Sequence, residues 1–255
     1  MEDQQVGKEE AQQILTYALD LGERMLRRGA EVGRVEDTIT RILTSQGAKR
    51  VDVFTITTSI VVTCHWDFGP VTQTRRVNGM SYDMTALTSL NGLSREICAG
   101  AVPLESVGDR LDAIARGPVY AFPLRMLFYG ASSFVFSLFF GGTLLDAALS
   151  GAIGMLIRLM LSGLAKLRVP GLAVTLLCAI VGGFLAHGLM ALGIPCAPDK
   201  ISIGNIMLLV PGIGMTNSIR DMFTGDTISG LLRFTEALLV SLALAWGFAL
   251  PTLLR

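Results

Sequence analysis

The stretch GLAVTLLCAIVGGFLAHGLMAL, residues 171–192, decides the fold class of this 255-residue chain. His187 is the only Asp, Glu, Lys, Arg or His residue in it. Because roughly 20 mostly apolar residues in a helix cross the hydrocarbon core of a bilayer, this stretch predicts a membrane-spanning helix. An isolated histidine near a helix end favours a structural role, and a proton relay is the alternative.

Three other stretches predict spans by the same criterion: residues 119–140, 144–164 and 228–254. A further stretch, residues 201–222, has a shorter apolar core that Pro211, Gly212 and Gly214 interrupt. The sequence therefore predicts an α-helical integral membrane protein with five spans, of which the fourth along the chain is broken.

The composition supports this class and divides the chain in two. Hydrophobic residues make up 51% and charged residues 16% of the chain, whereas soluble domains carry about 25% charged residues. Charged residues number 29 in residues 1–118 and 13 in residues 119–255. We therefore expect a soluble domain over 1–118 and a transmembrane domain over 119–255. The formal net charge is zero, so no basic excess points to nucleic acid as a partner.

Hydrophobic periodicity in the soluble part changes from a helical repeat to a strand repeat and back. The predicted order is ααβββαα, a small α+β domain, with Asp83 as the N-cap of the third helix. The predicted elements are helices over 9–28, 34–46, 84–98 and 104–116, and strands over 51–57, 59–66 and 72–77.

The orientation follows from the distribution of basic residues at the ends of the spans. The first thirteen residues are polar and acidic, so no signal peptide is predicted. A cytoplasmic N-terminus and an external C-terminus place five basic residues inside and two outside. The inner group is Arg110, Arg116, Lys166, Arg168 and Arg220, and the outer group is Lys200 and Arg255.

Enzyme chemistry has little support in the soluble part. Cys64 and His65 are neighbours in a predicted strand, so their side chains point to opposite faces. The four cysteines have no C-x-x-C spacing, and no phosphate-binding loop or clustered metal-ligand pattern is present. We expect no enzyme activity, no cofactor and no metal. A membrane-anchored hydrolase and a channel or regulatory subunit remain the alternatives to a transporter.

Ionisable groups within the predicted spans are candidates for a transport pathway, because they are costly in hydrocarbon. Arg125 and Arg158 lie within the first and second spans, with snorkelling or ion pairing as the alternative. Arg233 and Glu236 are spaced i, i+3 in the last span. They form either a mutual salt bridge or part of the pathway, where Glu236 could carry a proton.

The segment VPGIGMTNSIRDMFTGDTISG, residues 210–230, is the strongest local signal. Pro211 and Gly212 predict a broken helix, which in a membrane is tolerated where protein or a watery cavity satisfies the freed backbone groups. A kink followed by a polar loop is the alternative. Polar candidates for the pathway follow the break at Asn217, Arg220, Asp221 and Asp226.

The segment LTSLNGLSREI, residues 87–97, places Asn91 and Arg95 on one helix face at i, i+4 spacing. One interpretation is a polar face that couples the soluble domain to the membrane domain. A hydrogen-bonded surface pair is the other interpretation.

Together these residues resemble the threonine/serine exporter family (ThrE type), and within it the larger subunit of the split, two-component form (YjjP type). The resemblance covers both parts of the chain. The matching stretches are RRGAEVGRVEDTITRI (27–42), VDVFTITTSIVVT (51–63), TRRV (74–77), LTSLNGLSREI (87–97) and VPGIGMTNSIRDMFTGDTISGLLRFTEALL (210–239).

The resemblance implies an exporter of small carboxylate metabolites in a bacterial inner membrane, driven by the proton gradient. Serine, threonine, succinate and related C4-dicarboxylates are the implied substrates. Fused members of the family carry more spans than this chain, so the resemblance also implies a separate small membrane subunit and an oligomeric assembly.

Overall fold

The structure is a computed structural model, and it describes residues 7–117, 120–167 and 169–254. The chain divides into two compact units. The first unit comprises Met1–Pro118 and Ile213–Phe234, and the second comprises Val119–Gly212 and Thr235–Arg255. The segment that follows the predicted helix break is therefore grouped with the N-terminal part of the chain.

The first unit confirms the predicted ααβββαα order. Each helix buries the apolar face that its periodicity predicts, and the Asp83 carboxylate accepts a hydrogen bond from the Ala86 amide at 3.0 Å, as expected of an N-cap. The elements are α1 (Lys8–Arg27), α2 (Val32–Ser45), β1 (Arg50–Ile56), β2 (Ser59–Trp66), β3 (Gly69–Arg76), α3 (Met84–Cys98) and α4 (Leu104–Ala115).

The three strands form one antiparallel sheet in the order β1-β2-β3. Alternate residues of β2 point into the core, which the inward faces of α1 and α2 complete. Cys64 is fully buried in this core, whereas His65 lies half-exposed on the other face. The two side chains are thus on opposite faces of the sheet, as the sequence predicts.

The turn between α1 and α2, residues 28–31, is tightly constrained. Gly29 has φ +94°, a conformation that side chains with a Cβ rarely adopt. A Cβ at this position would also lie 2.5 Å from the Tyr82 ring. The turn therefore presents its backbone carbonyl groups at a fixed place beside the start of α2.

The second unit is built from long apolar helices that pack through small residues. Its helices are α5 (Phe122–Phe139), α6 (Leu144–Lys166), α7 (Gly171–Ala191) and α8 (Pro198–Ile206), and the chain continues as α9 (Gly212–Phe223) and α10 (Thr227–Leu253). Gly130 and Gly151 bring α5 and α6 into close approach. Asp146 and Thr143 form a capping box at the start of α6, and Asp146 also accepts from the Ala197 amide at 2.7 Å.

Four of the described helices, α5, α6, α7 and α10, are long and apolar enough to cross a membrane. They match four of the predicted spans. The remaining predicted span, residues 201–222, falls on α8 and α9, which are separate and each too short to cross alone. Residues 207–211 interrupt the helix, with Pro211 directly before α9, and the count of five spans stays a prediction.

Candidate functional site

The polar residues that follow the break bind the turn between α1 and α2. The Asn217 side-chain amide donates to the Gly29 carbonyl at 3.0 Å, and the Arg233 guanidinium donates to the Ala30 carbonyl at 2.8 Å. The Arg220 guanidinium pairs with the Glu31 carboxylate. We call this group the turn cluster: Gly29, Ala30, Glu31, Asn217, Arg220, Asp221 and Arg233.

A buried ion pair lies at the centre of the turn cluster. The Arg233 Nη1 and Asp221 Oδ2 atoms are 3.2 Å apart, and each side chain is 1% exposed. Neither Asp221 oxygen has a well-formed hydrogen bond in the described part of the chain, and the same holds for Arg233 Nε and Nη1. The pair is therefore held mainly by charge, and the nearby Val32 backbone amide also favours the charged Asp221 carboxylate.

A sharp reversal between α9 and α10 creates this pair. Gly225 has φ +101° in the connection. Gly230 lets the two helices approach, since a Cβ there would lie 2.7 Å from the Ser218 carbonyl oxygen and 2.5 Å from Met222 Cγ. The reversal brings Arg233 back alongside Asp221. The partner of Arg233 is thus Asp221, and not Glu236 as the i, i+3 spacing suggested.

Further carboxylates lie near the start of α2. Glu36 accepts a hydrogen bond from the Thr55 amide at 2.8 Å. Burial raises the pKa of the Glu36 carboxyl, the Thr55 hydrogen bond opposes this, and the charge of Asp226 raises it further. An Asp226 oxygen lies 3.4 Å from the position of a Cβ on Gly33.

The remaining predicted pathway residues lie elsewhere. Arg125 and Arg158 belong to the second unit, where both are half-buried and their Nε atoms have no hydrogen-bond partner among the described residues. The Arg158 guanidinium lies over the Tyr129 ring at 5.4 Å from its centroid. Glu236 is exposed on α10 and forms no ion pair within the described ranges.

Sequence reasoning missed a buried polar network in the second unit. The Ser133 hydroxyl lies 2.8 Å from the Ser150 hydroxyl and 3.0 Å from Asn205 Oδ1, and all three side chains are fully buried. The Asn205 amide donates to the Ile201 carbonyl at 2.9 Å. The network joins α5, α6 and α8. Isolated serines and an asparagine within apolar stretches were the available signal, but small residues also serve in simple helix packing.

Asn91 and Arg95 lie on one face of α3, as their spacing predicts, and both line a cleft within the first unit. Neither side chain has a hydrogen bond or ion pair with another described residue. The structure therefore does not support the interpretation of Asn91 and Arg95 as a hydrogen-bonded surface pair. The described residues also include no group of three or more His, Cys, Asp or Glu that could hold a metal ion.

Four helices long and apolar enough to cross a membrane, together with a small three-stranded sheet, are typical of a multi-pass membrane protein. The chain belongs to the threonine/serine exporter family, since the family model described as "Putative threonine/serine exporter" matches residues 16–254. This is a family of membrane exporters and not of enzymes, so the hydrolase alternative is set aside.

Three relatives show how the chain relates to the family. A "Probable threonine/serine exporter" of Mycobacterium tuberculosis is 27% identical over 92% of this chain and 45% of that protein. The "Threonine/serine exporter" of Corynebacterium glutamicum is 25% identical over 93% of this chain and 50% of that protein. The "Probable succinate transporter subunit YjjP" of Klebsiella aerogenes is 26% identical over 95% of this chain and 94% of that protein.

The chain thus spans about half the length of the two exporters and nearly the whole length of the transporter subunit. No solved structure matches it.

Proposed function

We propose that this chain is the larger subunit of a two-component secondary exporter that moves small carboxylate metabolites out of a bacterial cell. The proposal is supported by the family match over residues 16–254 and by a protein named as a transporter subunit, which aligns over 95% of this chain and 94% of its own length. A small membrane subunit of the same family would supply the remaining spans, in an oligomeric complex embedded in the bilayer.

The ion pairs limit which of the four predicted pathway arginines are candidates for binding substrate. Arg220 is paired with Glu31 and Arg233 with Asp221, so their charges are already compensated. Arg125 and Arg158 have no carboxylate partner among the described residues. A guanidinium binds a carboxylate through two parallel hydrogen bonds. Arg125 and Arg158 are therefore our candidates for substrate contact, and the turn cluster is our candidate for positioning α10.

Orientation and energy coupling belong to the same proposal. We place the N-terminal domain in the cytoplasm and the C-terminus outside, because the basic residues at the span ends favour that orientation. We assign the driving force to the proton gradient, with the exposed carboxylate of Glu236 as the candidate proton carrier on α10.

The test is efflux of labelled succinate, serine and threonine from proteoliposomes that contain this chain with or without the small subunit. We expect efflux of at least one substrate only when both chains and a proton gradient are present. Arg125→Gln and Arg158→Gln should reduce efflux, whereas Arg76→Gln, an exposed arginine at the end of β3, should not. Efflux of none of the three substrates from correctly assembled complex would contradict the proposal.

A channel or regulatory subunit is the remaining alternative, and the same experiment separates it. A channel predicts flux that follows the substrate gradient and does not change when the proton gradient is collapsed. A regulatory subunit predicts that the small subunit alone transports, with this chain changing only the rate.

A further inference from the structure

A polar cleft lies between α2 and α3, within the first unit, and the exporter proposal does not use it. Its volume is about 920 Å³, which is ample for a small metabolite. Asn91 and Arg95, which the sequence singled out for their shared helix face, line one wall. The cleft is lined by Glu31, Gly33, Arg34, Asp37, Thr38, Arg41, Thr88, Asn91, Ser94, Arg95, Cys98 and Ala99.

The acidic side chains of the cleft are already neutralised. The Asp37 carboxylate accepts from Arg41 Nε at 2.9 Å, one turn along α2. Glu31 is held by Arg220. Neither carboxylate therefore leaves uncompensated negative charge to repel an anion.

Two basic side chains of the cleft are not neutralised. Arg34 on α2 and Arg95 on α3 have no ion pair or side-chain hydrogen bond with any residue that the structure describes. They come from different helices and face the same cleft. The cleft therefore carries net positive charge supplied by two guanidinium groups, each able to bind one carboxylate in bidentate fashion.

Neutral polar groups complete the lining. The Asn91 side-chain amide has no protein partner in the described ranges and lies on the same face of α3 as Arg95. Thr38 and Ser94, which are largely buried, add hydroxyl groups to the wall. This combination of charge and hydrogen-bonding groups suits a compact organic anion better than an apolar ligand.

We propose that the α2–α3 cleft binds a small organic dianion of the dicarboxylate class, with Arg34 and Arg95 each taking one carboxylate and Asn91 donating a hydrogen bond. The site is separate from Arg125 and Arg158, and it does not depend on the exporter proposal, because binding can be measured without transport. Glu31 lines the cleft and also holds Arg220, so a bound ligand lies directly beside the turn cluster.

The test is titration calorimetry of the full chain in detergent with succinate, with inorganic phosphate as a second anionic probe and with succinamate, which has the same length but one carboxylate. We expect succinate to bind more tightly than succinamate. Arg34→Gln and Arg95→Gln should each weaken succinate binding by roughly tenfold, the effect of losing one charged hydrogen-bonding group.

The matched control is Arg76→Gln, which removes an exposed arginine from the same unit and should leave succinate affinity unchanged. Thermal melting of each variant checks that the unit remains folded. Succinate affinity that is unchanged in both Arg34→Gln and Arg95→Gln would overturn the proposal, as would the absence of succinate binding to the unaltered chain. Tighter binding of phosphate than of succinate would overturn the dicarboxylate assignment. Efflux in the same variants is a separate readout, so the exporter proposal can stand or fall independently.

Discussion

Asp221 and Arg233 form a buried ion pair, with Oδ2 and Nη1 3.2 Å apart and each side chain 1% exposed. The pair joins α9 to the first turns of α10, and Arg233 extends the connection to the Ala30 carbonyl. Breaking one partner of such a pair leaves an uncompensated buried charge, which is far costlier than losing a surface pair. The pair therefore makes the α9–α10 reversal sensitive to substitution at either residue.

We expect Asp221→Asn and Arg233→Gln each to destabilise the protein by about 3–5 kcal/mol, the usual cost of removing one partner of a buried pair. Asp221→Leu combined with Arg233→Met should cost less than the sum of the two single changes, because no charge is then left buried. Thermal melting of detergent-purified variants measures the loss of stability in each single variant and in the double variant. Additive effects in the double variant would show that the two side chains are not coupled.

The Glu31 and Arg220 pair can be tested by exchanging its charges. Arg220→Glu should weaken the contact between α9 and the turn, since two carboxylates then face each other, and we expect reduced efflux. Glu31→Arg with Arg220→Glu should restore part of the efflux, while the melting temperature changes little because exposed pairs contribute about 0–1 kcal/mol. Exchange of the Glu96 and Arg110 pair, which lies outside the turn cluster and the α2–α3 cleft, is the control. Failure of the exchanged pair to recover efflux would argue against a role for this contact.

The buried network of the second unit leaves no room for added volume at Gly204. A Cβ there would lie 2.5 Å from the Ser150 hydroxyl oxygen and 2.7 Å from the Ser133 carbonyl oxygen. Gly204→Ala should therefore destabilise the unit by about 1–3 kcal/mol through overpacking. Gly188→Ala on α7 is the matched control, since nothing lies within 4 Å of its Cβ position. Equal melting temperatures for the two variants would contradict the observed packing.

The Glu36 carboxyl should make the stability of the protein depend on pH, and the direction of this dependence follows from its pKa. Burial raises the pKa of its carboxyl above the ordinary value of 4.5, so the folded state binds the proton more tightly than the unfolded state does. The stability contributed by this group therefore falls as pH rises from about 4.5 through the folded-state pKa. Glu36→Gln keeps an oxygen to accept the Thr55 hydrogen bond and removes the charge.

We expect the Glu36→Gln variant to melt at a higher temperature than the unaltered chain at pH 7, and the difference to shrink as pH falls toward 4. A Glu36→Gln variant that melts lower at pH 7 would mean that the Thr55 hydrogen bond needs the full carboxylate charge.

Local sequence patterns were sufficient to predict most of the secondary structure. The elements from α1 to α4, the antiparallel strands and the N-cap at Asp83 follow from periodicity and turn residues, which act over a few positions. The break at Pro211 and Gly212 follows from the same local chemistry. Segment 201–222 was harder to interpret, because its mean apolarity resembles a span although α8 and α9 are separate helices.

The contacts within the candidate site could not be predicted from local patterns. Asn217, Arg220 and Asp221 are polar groups after a predicted helix break, and Arg233 is an ionisable group in the last predicted span, so the sequence made all four candidates for a pathway. Two of them have partners far away in the sequence: Arg220 contacts Glu31 across 189 positions and Asn217 contacts Gly29 across 188. No local rule links residues at such separation. For Arg233, the i, i+3 spacing left a salt bridge with Glu236 and a place in the pathway as alternatives, whereas the α9–α10 reversal brings it to Asp221.

The sequence by itself determined that this protein combines an α+β domain with long apolar helices, because burial in a core or a bilayer imposes periodicity and length on each segment separately. Only the tertiary structure decided which charges are compensated. Asp221 neutralises Arg233 and Glu31 neutralises Arg220, whereas Arg34 and Arg95 have no ion pair with any residue that the structure describes. Charge compensation depends on distances between side chains, and chain folding sets those distances independently of separation along the sequence.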